Sequence, residues 1–138
     1  MARIVVDIRT EPEALRRLAD LADVYVADEP GSFQKQARSL PGEVLRDAEV
    51  LICTIPPVNF AEAQRLQLVQ LGSVGFAQLY PLNLVERGIR ACNARGVYDT
   101  AIAEWNVAMM INLARDLRTM IRNQEQGTWD ISGRFHQE

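Results

Sequence analysis

Arg3-Ile-Val-Val-Asp-Ile8 is short, β-branched and apolar almost throughout. A strand buried on both faces of a parallel sheet reads this way. Downstream, Pro12 opens a helical stretch in which Leu15, Leu18 and Leu21 are spaced for one buried face, with Arg16 and Arg17 turned outward. Val24-Tyr-Val-Ala27 reads as a second strand. Residues 28–41 carry Pro, Gly, Ser and Gln and read as a loop with room for one helical turn. Residues 42–46 form a short helix, and Glu49-Val-Leu-Ile-Cys-Thr-Ile55 is the third strand, ended by Pro56-Pro57. A helical segment over 60–66 leads to the fourth strand, Leu68-Val-Gln-Leu71. A short helix over 81–87 leads to the fifth, Ile89-Arg-Ala-Cys92. Strands alternating with helical connectors predict an α/β fold with a parallel sheet covered on both faces.

The 138 residues amount to about one domain, and 48% hydrophobic content is enough to form a core. The net charge is -3, Lys35 is the only lysine and the arginines are spread out, so no nucleic-acid partner is expected. The longest wholly apolar run, residues 107–111, falls far short of the ~18 residues of a membrane span, so no membrane partner is expected either. An acid lies within the first apolar stretch and no small-residue cleavage site follows, which argues against a signal peptide and for a cytoplasmic protein. Cys53 and Cys92 lie in apolar strand-like runs and are expected to be buried free thiols.

The pattern changes after Thr100. No Gly or Pro interrupts residues 101–126, which predicts one long helix, twice the usual ~11–12 residues. Ile102, Trp105, Met109, Leu113, Leu117 and Met120 fall at three- or four-residue steps along it. So apolar a helix is either the core helix of the same domain or a surface for another subunit.

An open parallel sheet binds its ligand at the carboxyl ends of its strands. Asp7-Ile-Arg-Thr-Glu-Pro12, Thr54-Ile-Pro-Pro-Val58, Gly72-Ser-Val-Gly75 and Asn93-Ala-Arg-Gly-Val-Tyr-Asp-Thr100 stand at those ends. Gly72-Ser-Val-Gly75 is the most informative. Its glycines let backbone approach a ligand, and successive N–H groups can form a concave site for a small carboxylate or phosphate. An ordinary Gly-containing turn is the alternative. No G-x-G-x-x-G dinucleotide loop and no G-x-x-x-x-G-K phosphate loop occurs. One histidine and two separated cysteines make no metal ligand set. His136 lies in a polar tail beyond every element, and Glu104 opens the long helix, where an acid suits the helix dipole.

Several motifs resemble the NAD(P)-dependent D-isomer-specific 2-hydroxyacid dehydrogenases, a family that includes phosphoglycerate, formate and phosphite dehydrogenases. They are Asp47-Ala-Glu-Val-Leu-Ile52, Gln70-Leu-Gly-Ser-Val-Gly-Phe76, Val85-Glu-Arg-Gly-Ile89, Cys92-Asn-Ala-Arg-Gly-Val97 and Ala101-Ile-Ala-Glu-Trp105. Leu113-Ala-Arg-Asp-Leu117 and Gly127-Thr-Trp129 follow in the family's order. The resemblance implies a flavodoxin-like substrate lobe over 1–100, its five parallel strands in the order 2-1-3-4-5. A long interdomain and dimerisation helix over 101–126 and a tail over 127–138 would follow. The family's Rossmann coenzyme lobe, its C-terminal return segment and its catalytic Arg, acid and His would come later, so no catalytic residue is expected in this chain.

The resemblance also implies roles. Ser73, Val74 and Gly75 would hold the substrate carboxylate through backbone N–H groups, Thr54 and Ile55 would line the pocket rim, and Ile102 would pack against the nicotinamide. The chain then reads as the substrate-binding part of an oxidoreductase moving a hydride between NAD or NADP and a D-2-hydroxy acid, inactive and without tight coenzyme binding by itself. Its partners would be a 2-hydroxy or 2-oxo acid and a second copy in a homodimer. A non-catalytic α/β module that dimerises through the long helix is the alternative.

Overall fold

The structure, a computed structural model, describes residues 1–27 and 37–130. It falls into two compact units, Met1–Arg95 and Gly96–Glu138. In the first, β1 (Arg3–Asp7), β2 (Asp23–Val26), β3 (Val50–Cys53), β4 (Leu68–Leu71) and β5 (Arg90–Cys92) form one sheet. All pairings are parallel and the order is β2-β1-β3-β4-β5, as expected. β1 is flanked on both sides, which is why its apolar run is nearly continuous: Val5, Val6 and Asp7 are wholly buried.

The register places Val5, Leu51 and Val69 in one row, and Asp7, Cys53 and Leu71 in the row nearest the carboxyl ends. Side chains of one row share a face. That face is covered by Val44 and Leu45 of α2 (Gly42–Asp47) together with Leu40, Phe60, Ala63 and Leu66, and there the core lies. Near this cover Arg87 donates to the Ala63 carbonyl at 2.7 Å, with its guanidinium 5.0 Å from the centre of the Phe60 ring. The opposite face is covered less completely. α1 (Pro12–Ala19) has no fully buried residue, and Leu15 and Leu18 are half-buried. Leu21 is exposed rather than buried, because the helix ends at Ala19 before its periodicity can carry Leu21 inward.

Other expectations need correction. The segment read as a helix over 60–66 holds only the 3-10 turn Phe60–Glu62, and that over 81–87 begins in a second, Ala77–Leu82, and continues as hydrogen-bonded turns. Pro81 lies inside the second and has no N–H for a longer helical ladder. Cys92 is an exposed free thiol, since β5 has a neighbour on one side only, while Cys53 is buried as expected. The loop over 28–41 lies outside the described residues up to 36.

In the second unit the single long helix is two: α3 (Asp99–Ala114) and α4 (Leu117–Glu125). The break is chemical. Asp116 adopts the left-handed conformation (φ 47°) that short polar side chains tolerate, and its carboxylate accepts from the Thr119 hydroxyl at 2.9 Å and the Thr119 N–H at 3.4 Å. This N-cap starts a new helix without Gly or Pro. α4 ends at Gly127 (φ 63°), where Gly127 N–H donates to Gln124 and Thr128 N–H to Asn123, a left-handed cap that favours glycine. Neither α3 nor α4 has a buried residue, and the apolar side chains of α3 are spread around the whole helix.

Candidate functional site

The carboxyl ends of β1, β3, β4 and β5 bring four chain segments to one edge of the first unit. Gly72 N–H donates to the Cys53 carbonyl at 2.9 Å, so β4 leaves the ladder beside Thr54. A Cβ on Gly72 would stand 3.2 Å from the Ile8 side chain and 3.5 Å from the Thr54 hydroxyl. The absence of a side chain there lets the loop close against the ends of β1 and β3.

Past Gly72 the carbonyls are occupied one after another. Ala94 N–H donates to the Ser73 carbonyl at 3.0 Å, and the Asn93 side-chain amide donates to the Val74 carbonyl at 2.8 Å. The Ser73 hydroxyl donates to the Gly75 carbonyl at 2.9 Å, and Leu79 N–H to the Phe76 carbonyl at 3.0 Å. In a trans peptide the C=O and the following N–H point in opposite directions. Holding the carbonyls of Ser73, Val74 and Gly75 therefore fixes the directions of the Val74, Gly75 and Phe76 N–H groups. None of these three N–H groups, nor that of Ser73, has an acceptor among the described residues. Val74, Gly75 and Phe76 are exposed, and a Cβ on Gly75 would meet nothing within 4 Å. Successive oriented N–H groups with no acceptor have the chemistry of an anion site. Beside it a cavity of about 430 Å³ is lined by Phe76, Leu79, Ala91, Cys92 and Asn93.

Of the residues singled out in the sequence, Ser73, Val74 and Gly75 form this loop. Thr54 is tied to it through Gln78, which donates to the Thr54 carbonyl, and Ile55 follows, half-buried, on the same rim. Ile102 lies in the first turns of α3 in the second unit, exposed, as is Glu104. His136 lies outside the described residues.

Two features escaped the sequence. Asp7 is wholly buried at the end of β1, where Arg38 donates to its Oδ1 through Nη2 and, at 3.2 Å, through Nε. The other carboxylate oxygen, Oδ2, is buried without a hydrogen-bond partner among the described residues. An acid in an apolar strand signals a buried cation partner, but nothing in the sequence says which arginine supplies it. Burial, and then the charge of Asp7, push the adjacent Cys53 thiol up to about 12, so it stays protonated and unreactive. The second feature is Gln78, whose side-chain amide donates to the Thr54 carbonyl at 2.9 Å, with the Ser73 hydroxyl at 3.2 Å and the Gly75 carbonyl at 3.3 Å.

No family model matches the sequence. A glyoxylate reductase of Thermofilum pendens is 29% identical over 133 residues, covering 91% of this chain and 38% of that protein. The chain resembles the D-2-hydroxyacid dehydrogenases. Among solved structures, the NADPH-dependent glyoxylate/hydroxypyruvate reductase of Sinorhizobium meliloti in complex with citrate superimposes with a TM-score of 0.70 at 21% identity, over 94% of this chain and 40% of its own. A D-lactate dehydrogenase of Treponema pallidum gives 0.71 at 18% identity, over 100% and 43%. These structural likenesses concern the fold, and the chain spans about two fifths of the length of the proteins it matches.

Proposed function

We propose that this chain is the substrate-binding part of an oxidoreductase that transfers a hydride between NAD(P) and a small D-2-hydroxy acid. The observation that carries the reading is the run of oriented N–H groups over residues 74–76, next to the acceptor-free N–H of Ser73, at the edge where parallel α/β sheets bind ligands. The carboxylate of a 2-hydroxy or 2-oxo acid would accept from these groups. Thr54 and Ile55 would border the rest of the molecule. When bound, the nicotinamide supplies the hydride chemistry, and this chain's part is to orient the acid. Among the described residues the exposed Ile102 would be a wall for the ring, and with no G-x-G-x-x-G loop to hold the phosphates these residues do not fit a whole dinucleotide.

The test uses the 138-residue chain with oxamate, a non-reactive 2-oxo-acid analogue, followed by amide NMR. We expect shifts centred on residues 73–76 with Kd on the order of 1 mM, as for a small ligand held by few groups. We also expect no turnover of 2-hydroxy acids and no micromolar NAD binding. Oxamate shifts absent from residues 73–76 would overturn the reading.

Assembly follows from α3. Its apolar side chains lie all round the helix and none is buried, a surface that suits a second copy of this chain. A homodimer should sediment as such at micromolar concentration, and Met109→Glu or Leu113→Glu should return it to monomer. A monomeric unmodified chain would sink this part. A cytoplasmic setting fits two unpaired thiols, one of them exposed. Among the described residues no helix is long and apolar enough to cross a membrane.

A further inference from the structure

We propose that Gln78 is the positioning residue that locks the anion-binding loop to the end of β3. The assignment rests on the carboxylate reading of residues 73–76. Gln78 lies in the 3-10 turn Ala77–Leu82 beside Leu79, which is buried and ties the turn to the core. Its side-chain nitrogen is within hydrogen-bonding distance of three oxygens from two loops: the Thr54 carbonyl, the Ser73 hydroxyl and the Gly75 carbonyl.

Which end of the amide points there is settled by chemistry. Two of the three oxygens are carbonyls and can only accept, so the donating nitrogen must face them. The opposite orientation would set three oxygens against one another. The third oxygen, of Ser73, donates onward to the Gly75 carbonyl. One amide hydrogen serves the Thr54 carbonyl and the other is shared between the Ser73 hydroxyl and the Gly75 carbonyl, so Gln78 holds that carbonyl, and with it the direction of the Phe76 N–H, the last donor of the run. The same amide fixes the carbonyl of Thr54, whose hydroxyl lies 3.5 Å from where a Cβ on Gly72 would stand. No other residue's side chain among the described residues bonds to both loops.

The side-chain volume of Gln78 does not matter to this role, but its donor does. Gln78→Met keeps length without a donor, and Gln78→Glu keeps shape but turns a carboxylate toward two carbonyls. In the 138-residue chain titrated with oxamate, both variants should weaken binding about tenfold, roughly the effect of one well-oriented hydrogen bond to a charged group. The oxamate-induced shift of the Phe76 amide should shrink most, while the melting temperature of Gln78→Met stays within a few degrees, a separation that a merely structural role would not give. In the unmodified chain the Gln78 side-chain amide hydrogens should exchange more slowly than those of the exposed Gln64. Oxamate affinity within twofold of the unmodified chain in either variant overturns the assignment alone. So does Gln78 exchange indistinguishable from Gln64, a measurement that needs no variant to fold. Failure of the unmodified chain to bind oxamate overturns the carboxylate reading and this assignment with it.

Discussion

Val5, Leu51 and Val69 stand in one row of the sheet with no exposed surface, whereas Trp105, Met110 and Leu113 of α3 are 63%, 68% and 81% exposed. Both segments are rich in apolar residues, and the difference lies in geometry. A strand presents two faces at a period of two, and a short helix laid on one face is enough to bury it. A helix apolar all round needs neighbours on several sides at once. The first unit therefore carries its own core, and the second supplies apolar surface without one.

Truncation should separate the two units most. Leu45→Ala removes a wholly buried side chain and should cost ~3 kcal/mol, whereas Leu113→Ala should stay within ~0.5 kcal/mol in chain dilute enough to be monomeric. Urea midpoints that rank these variants the other way would place the stability in the wrong unit. Next comes the buried ion pair of the first unit. Arg38→Met strands the Asp7 carboxylate in the core and should cost about 3 kcal/mol, while Asp7→Leu combined with Arg38→Met should recover most of it. A double variant as unstable as the single one would mean that the charges are held for more than each other.

A smaller effect sharpens the view of the second unit. Asp116→Ala removes both the cap of α4 and a residue at ease with positive φ, and should lower α4 amide protection by about 1 kcal/mol. The unfolding midpoint of the first unit should not move. The smallest effect is chemical. Folded Cys53 keeps, up to about pH 12, a proton that an unfolded thiol gives up near its ordinary value of 9.0. Unfolding then releases protons, so the contribution is fully present below that value and is lost as pH rises through it toward about 12. At about pH 8 a thiol reagent should label Cys92 in the folded chain and Cys53 only after unfolding. Equal labelling rates would contradict the burial of Cys53.

The sheet was legible because a two-faced buried strand such as residues 3–8 leaves a nearly continuous apolar run, and Pro or Gly punctuates the runs. The break at Asp116 was not, since the long helix was inferred from missing Gly and Pro. Its signal was present all the same: an aspartate three residues before Thr119 is a cap pattern. The loop over 72–75 could be found from its glycines. Gln78 could not, because its acceptors are mainly backbone carbonyls, and every residue has one.

A binding site made of main-chain N–H groups is indifferent to the side chains its residues carry. Val74 and Phe76 hold their places through their peptide groups, while their side chains are partly exposed, that of Phe76 meeting the Tyr80 ring edge-to-face. Exchanging them would reshape the surface around the proposed site and leave its N–H donors in place. On the proposed reading, substrate range could drift at these two positions without rebuilding the recognition of a carboxylate, and a designer seeking a larger or smaller acid would begin there.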